Sequence, residues 1–163
     1  MYKNILLPTD GLGKCVYGTC HGVVLAKELN AKVTAVCVTD KLSAYEILEI
    51  YHPYAISGRA EVRKVQEDMA AAEGSRKELA KKALEVAERM CTEAGVPCET
   101  VHLAGESPTD GFLKVAKEKG CDLIFISTHG NPGIMGTLFG TIATKLLSHS
   151  KIPVLVHYCG GPG

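Results

Sequence analysis

Glycine is concentrated in the segment that follows the apolar run LIFI, at Gly130, Gly133, Gly136 and Gly140. Glycine adopts backbone conformations that other residues avoid, and it exposes main-chain N–H groups without a side chain beside them. Thr141 then opens a helix-like stretch, and a helix N-terminus offers unpaired N–H donors and roughly half a positive charge. Together these features predict an anion site that suits a phosphate group.

Charged side chains are absent between Gly130 and Gly140, so backbone amides rather than a lysine are the predicted donors. The nucleotide-binding patterns G-x-x-x-x-G-K-[ST] and, after the first strand, G-x-G-x-x-G do not occur. A surface loop in which Thr141 only caps the next helix is the alternative. His129 could contact a phosphate, pack within the loop or act as a general acid or base, but the sequence places no carboxylate or nucleophile beside it.

A second candidate, Pro8-Thr9-Asp10, follows the first apolar run. An aspartate in this place either caps the next turn or faces a ligand. Ligands of open α/β sheets bind at the carboxyl ends of strands where the winding direction reverses. Asp10 and the glycine segment would therefore share one crevice if their strands were neighbours, which the residues alone do not establish.

Short apolar runs and helical patterns alternate along the chain. The runs are rich in Ile, Val and Leu and do not alternate with polar residues, as expected for strands that are covered on both faces. The alternation predicts a single doubly wound α/β domain over residues 1–163, with a parallel sheet and right-handed crossovers. The predicted strands are Asn4–Pro8, Lys32–Val38, Cys98–Ala104, Asp122–Ser127 and Ile152–Tyr158, and the predicted helices are Lys14–Leu29, Arg76–Ala94, Ser107–Lys119 and Thr141–Ser148.

Residues 41–75 do not fit this alternation. They carry three of the six tyrosines, and Glu61–Ala72 has a helical pattern. Such a long connection is an extra helical excursion, a lid or a partner surface, with core packing as the alternative.

Composition excludes several classes of function. The formal net charge is zero and 22% of residues are charged, so we expect no nucleic-acid partner, which would require a basic excess. The apolar runs are too short for a membrane span, and the N-terminus does not resemble a signal peptide. Seven scattered cysteines without a CxxC pair predict a reduced cytoplasmic protein without a zinc site.

The motifs NILLPTDG, GESP at residues 105–108, and STHG followed after nine residues by GT and later by KIPVLV resemble the universal stress protein family. The resemblance covers essentially the whole chain and is weakest in residues 41–75. The family's nucleotide signature is G-x2-G-x9-G-[ST]. Gly130 and Gly140-Thr141 hold its last three conserved places, and Ser127 stands where the first glycine, close to the ribose, is usual.

The resemblance implies a five-stranded parallel sheet of order 3-2-1-4-5, which makes the first and fourth strands neighbours. It also implies ATP or AMP in their crevice, with Asp10 at the adenosine end, the backbone of Val38 at adenine, and the phosphates at Gly130 and residues 140–142. It leaves open whether Mg or Mn accompanies the nucleotide. Many members form dimers through their last strand, here Val154–Tyr158, which is apolar and carries no charge that would protect an edge. The predicted nucleotide-binding residues are Pro8, Thr9, Asp10, Val38, Ser127, His129, Gly130, Gly133, Gly140, Thr141 and Ile142.

The function that follows is a regulatory, adenine-nucleotide-binding stress protein that acts as a homodimer with unidentified protein partners. Phosphoryl transfer needs a metal, a cationic clamp and an oriented nucleophile, so the uncharged loop favours binding over turnover. A slow ATPase or phosphotransferase and a nucleotide-free dimeric scaffold remain alternatives. An adenylating enzyme is disfavoured because PTDGLGK lacks the S-G-G-x-D-S pattern.

Overall fold

Five parallel strands form one sheet in the computed structural model, which describes residues 1–9, 16–57, 62–128 and 140–159. The strands are β1 (Asn4–Pro8), β2 (Lys32–Thr39), β3 (Cys98–Ala104), β4 (Leu123–Thr128) and β5 (Val154–Tyr158). Their order is β3-β2-β1-β4-β5. This confirms the predicted doubly wound sheet of order 3-2-1-4-5, and it makes β1 and β4 neighbours.

The helices in the described ranges are α1 (Val16–Glu28), α2 (Ala44–Ser57), α3 (Val62–Ala94), α4 (Pro108–Glu118) and α5 (Gly140–His149). Helices α1, α3, α4 and α5 cover the two faces of the sheet, and α2 contacts α3. Side chains of α1 and α3 pack with Ile5 and Leu7 on one face. Side chains of α4 and α5 pack with Leu6 on the other face. The three β1 residues are at most 2% exposed, which explains why the strand reads as an unbroken apolar run.

Helix α3 is longer than the sequence predicts. The predicted Glu61–Ala72 stretch and the helix from Arg76 join into one helix of 33 residues, Val62–Ala94. A Cβ on Gly74 would meet nothing within 4 Å, so this glycine costs the helix only its poor propensity, about 1 kcal/mol relative to alanine. Ser75 donates its hydroxyl to the Ala71 carbonyl at 3.0 Å, which is compatible with a helical backbone.

Helix α2 fills the other part of the long connection. A capping box opens it, in which the Ser43 amide donates to Glu46 Oε2 at 2.8 Å and the Glu46 amide donates to Ser43 Oγ at 3.2 Å. Such a box satisfies two N–H groups that the first turn of a helix leaves unpaired. The connection is therefore a helical excursion, one of the forms that its length allows.

None of the helices in the described ranges combines the length and the apolar composition that a membrane span requires.

Candidate functional site

A cavity of about 670 Å³ opens at the carboxyl ends of β1, β2 and β4, where the strand order reverses. This is the place where open α/β sheets bind ligands, and the volume is in the range of small-molecule sites. The described residues that line it are Pro8, Thr9, Cys37, Val38, Thr39, Asp40, Arg76, Leu79, Ala80, Pro108, Phe112, Ile126, Ser127, Thr128, Thr141, Ile142 and Ala143.

The centre of the cavity is formed where the chain leaves β1. Pro8 ends the strand, and Thr9 is buried with its amide donating to the Val36 carbonyl at 2.8 Å. This bond continues the β1–β2 pairing one residue past the strand, so the backbone that leads to residue 10 is held against β2. Asp10 itself lies outside the described residues.

Apolar side chains line part of the β2 side of the cavity. Val38 lines it together with Leu79 from α3 and Phe112 from α4. Gly111 lies close to Val38: a Cβ at residue 111 would lie 2.8 and 2.9 Å from the two Val38 methyl carbons. The close approach of α4 to β2 therefore depends on a glycine at that position.

The N-terminus of α5 forms the opposite side. The helix begins at Gly140, and Thr141 and Ile142 line the cavity in its first turn. That turn contains no acidic residue, so its unpaired N–H groups and the helix dipole favour an anion. The predicted contacts at His129, Gly130 and Gly133 lie outside the described residues.

Ser127 borders the cavity, but its side chain packs against α1. A Cβ on Gly18 would overlap both Oγ and Cβ of Ser127. Burial raises the pKa of the Cys159 thiol, and a hydrogen bond with the Ser127 hydroxyl opposes that rise. Ser127 is thus accommodated by a glycine in α1, on the face of the sheet that α1 covers.

Arg76 and Asp40 are charged residues that line the cavity, and neither was predicted from the sequence as a site residue. Arg76 of α3 lines the rim, and its Nη1 donates to the Asp40 carbonyl at 2.8 Å, just past β2. Its Nη2 donates to Glu46 Oε1 of α2. The Ser43-x-x-Glu46 capping box is readable in the sequence, but nothing in the pattern pairs Glu46 with an arginine 30 residues away.

This ion pair balances the charge of the guanidinium at the rim. Hydrogen bonds from the Ser43 hydroxyl and amide, and then from Arg76, lower the pKa of Glu46 to about 2. Glu46 is therefore a carboxylate at neutral pH, and it offsets the charge of Arg76. Among the described residues that line the cavity, Arg76 is the single Lys or Arg side chain.

The structure thus brings six of the predicted residues to one cavity: Pro8, Thr9, Val38, Ser127, Thr141 and Ile142. Gly140 begins the helix that borders it. Within the described ranges, no three His, Cys, Asp or Glu side chains are grouped closely enough to hold a metal ion.

Comparison with known sequences identifies relatives of similar length. The family model for the universal stress protein family matches residues 1–157. Universal stress protein MJ0531 of Methanocaldococcus jannaschii is 29% identical over 156 residues, which are 96% of this chain and 82% of the relative. Universal stress protein YxiE of Bacillus subtilis is 30% identical over 163 residues, which are 96% of this chain and 99% of the relative.

Solved structures share the fold at low identity. Hypothetical protein MJ0577 superposes with a TM-score of 0.72 at 23% identity, covering 99% of both chains. The universal stress protein of Archaeoglobus fulgidus in complex with dAMP superposes with a TM-score of 0.60 at 16% identity, covering 95% of this chain and 97% of its own. A universal stress protein family protein of Arabidopsis thaliana with AMP bound superposes with a TM-score of 0.59 at 18% identity, covering 96% of this chain and 91% of its own.

Proposed function

The chain belongs to the universal stress protein family, and on that basis we propose that it is a regulatory protein that binds an adenine nucleotide, ATP or AMP, in the cavity at the ends of β1, β2 and β4. The single observation that carries the proposal is the arrangement of this cavity. One side carries the apolar side chains of Val38, Leu79 and Phe112, the opposite side is a helix N-terminus, and both meet where the strand order reverses. The AMP and dAMP complexes of the Arabidopsis and Archaeoglobus proteins support it.

The base occupies the apolar side in this proposal. A purine ring buries its faces best against aliphatic and aromatic side chains, and Val38, Leu79 and Phe112 provide them. Backbone groups at the end of β2 then meet the edge of adenine, as the family resemblance implies for Val38. Thr9 and Asp10 lead to the adenosine end.

The phosphates lie at the start of α5 in the same arrangement. Amides of Gly140, Thr141 and Ile142 are the donors, and the helix dipole adds to the attraction. Gly130, in the segment outside the described residues, is the further donor that the sequence predicts. Binding rather than turnover is favoured, because Arg76, the one basic side chain among the described lining residues, is already paired with Glu46.

Self-association through β5 is the second part of the proposal. β5 is an edge strand of the sheet, and Leu155 and Tyr158 are exposed on it. A second copy that pairs its own β5 there would cover an apolar edge that no charged side chain protects. The seven scattered cysteines without a CxxC pair are the sequence feature that supports a cytoplasmic location in this proposal.

Thermal unfolding with and without nucleotide tests the binding. A ligand at 100 times its Kd adds about 2.7 kcal/mol, and each kcal/mol raises the Tm of a domain of this size by roughly 2–4 °C, so a shift of roughly 5–11 °C is expected. Gly140→Val should abolish the shift, because a β-branched side chain obstructs the amides at the start of α5. Gly74→Val is the matched control, since residue 74 faces open space in α3.

Mass spectrometry of nucleotide retained through purification identifies the ligand. No Tm shift with millimolar ATP or AMP would contradict the proposal and favour the nucleotide-free scaffold. Phosphate release over many turnovers that is lost in Gly140→Val would instead indicate an ATPase.

A further inference from the structure

Arg76 joins three elements at the rim of the cavity. The side chain leaves α3, Nη1 donates to the Asp40 carbonyl just past β2, and Nη2 donates to Glu46 in the first turn of α2. Asp40 and Arg76 both line the cavity, whereas Glu46 does not. The guanidinium therefore lies between the ligand space and the helical excursion.

Glu46 divides its carboxylate between Arg76 and the cap of α2. Oε1 accepts from Arg76, while Oε2 accepts from the Ser43 amide at 2.8 Å and from the Ser43 hydroxyl at 2.6 Å. Any displacement of Arg76 consequently changes the bonds that hold the first turn of α2. A planar guanidinium suits this bridging role, because its donors lie in a fixed fork.

Helix α2 has little other anchorage among its described side chains. None of residues 44–53 is buried, and Tyr45, Leu48 and Tyr51 are 68%, 62% and 45% exposed. Apolar burial, the usual source of helix docking energy, is therefore small here. The bond to Arg76 carries a larger share of the attachment than an ion pair does on a well-buried helix.

The position of the pair argues against a direct phosphate contact. Arg76 is bonded at the end of β2, whereas α5, whose N-terminus suits the phosphates, packs beside β4 and β5 on the other side of β1. Glu46 already neutralises the guanidinium. Arg76 is thus placed to hold the β2 rim in position beside the base rather than to attract an anion.

We propose that Arg76 is a positioning residue that couples occupancy of the cavity to the docking of α2 through Glu46. This coupling rests on the proposed nucleotide binding, and the docking of α2 is its structural consequence. A base that packs against the β2 rim restricts Asp40 and Arg76, and the restricted Arg76 holds the capped turn of α2. Linkage makes the effect reciprocal, so the factor by which docked α2 tightens binding equals the factor by which the ligand favours docking.

The test compares Glu46→Gln with Glu99→Gln in the full chain. Glutamine preserves a capping box but removes the charge that pairs with Arg76. Glu99–Lys119 is a matched control: its side chains are 44% and 35% exposed, against 40% and 29% for Glu46 and Arg76. It joins the start of β3 to the C-cap of α4, at the opposite end of the sheet from the cavity.

Two quantities are measured for each protein: AMP affinity by calorimetry, and hydrogen exchange of residues 44–53 with and without AMP. In the wild type, AMP should slow exchange in α2. Glu46→Gln should lose most of that protection and weaken AMP binding roughly 5-fold or more, the lower end of typical coupling factors. Glu99→Gln should leave both quantities at their wild-type values.

Arg76→Gln separates positioning from phosphate recognition. Its loss of affinity should be the same factor for adenosine as for AMP, and a loss that is larger for AMP would overturn the positioning role. Wild-type protein that binds AMP without slower exchange in α2, or Glu46→Gln that matches Glu99→Gln, would overturn the coupling alone. Wild-type protein that binds no AMP would overturn the proposed function and the coupling with it.

Discussion

The Ser127 side chain of β4 fills the space that Gly18 of α1 leaves open. A methyl group on residue 18 would overlap Cβ and Oγ of Ser127, and rotation of the hydroxyl can relieve only the second overlap. We expect Gly18→Ala to lower the free energy of unfolding by about 1–3 kcal/mol, the usual cost of overpacking. Adding Ser127→Gly should restore most of that loss, as measured by thermal or urea unfolding.

The control for this pair is Gly74→Ala. Residue 74 lies in α3, and a methyl group there would have nothing within 4 Å, so alanine should stabilise the protein by roughly 0.5–1 kcal/mol through helix propensity. Equal effects of the two alanine substitutions, or no recovery in the Gly18→Ala, Ser127→Gly double variant, would show that Ser127 and Gly18 are not packed in this way.

Glu46 makes the α2 attachment dependent on pH. Its pKa is about 2 in the folded protein, below the ordinary value of 4.5. A depressed carboxyl pKa contributes stability that is fully present above about 4.5 and is lost as the pH falls towards 2. The Tm difference between wild type and Glu46→Gln should therefore be constant from pH 7 to about 5.5 and should shrink below pH 4.5. A difference that grows on acidification would contradict this assignment.

Helix α4 controls the width of the cavity through its first turns. Gly111 lies against both methyl groups of Val38, and Val38 lines the cavity. Gly111→Ala should push Val38 towards the ligand space and weaken AMP binding several-fold in calorimetry.

Ser107→Ala is the control within the same helix. Ser107 is the N-cap of α4, and its Oγ accepts from the Asp110 amide at 3.3 Å. Removing this hydroxyl should lower the free energy of unfolding by about 1 kcal/mol. Affinity should stay close to wild type, since Ser107 does not line the cavity. Equal affinity losses in the two variants would indicate that α4 stability, rather than the position of Val38, governs binding.

The bounds of most elements follow from local physical signals. Asn30, which directly follows the predicted helix Lys14–Leu29, has φ of 51°, and Gly95, which directly follows the predicted helix Arg76–Ala94, has φ of 71°. A left-handed residue of this kind commonly ends a helix. The continuous apolar strands indicated a sheet covered on both faces, and two cores confirm it. Helix α3 begins earlier than predicted, because the cost of about 1 kcal/mol for Gly74 relative to alanine is too small to end a helix of 33 residues.

The candidate site was predictable where it depends on the chain leaving a strand or entering a helix. Pro8 ends β1, Thr9 follows it, and Thr141 lies in the first turn of α5, so local sequence patterns located all three. That β1 and β4 are neighbours came from the family resemblance, since periodicity does not order strands. Arg76 was missed because its role depends on a contact with a residue 30 positions away, and no local pattern encodes such a contact.

At the scale of the molecule, the sheet has two edges, and β5 is the one with the more apolar exposed side chains. The Ile124 amide donates to the Pro153 carbonyl at 2.9 Å, and the Cys159 amide donates to the Thr128 carbonyl at 2.8 Å. Main-chain groups of alternate residues in an extended strand point in opposite directions. The amides of residues 154, 156 and 158 therefore point to the free edge, where a second β5 can pair with them.

Val156→Pro tests this edge directly. Proline removes an N–H that faces outward, so the ladder to β4 stays intact, while pairing with a second chain loses a central hydrogen bond. Val156→Ala is the control, because it truncates the same partly buried side chain but keeps the N–H. We expect the proline variant to sediment as a monomer at concentrations where wild type and Val156→Ala are dimers. A monomeric wild type, or a proline variant that remains dimeric, would show that β5 is not the interface. AMP binding measured on the monomeric proline variant would show whether the cavity functions without a partner.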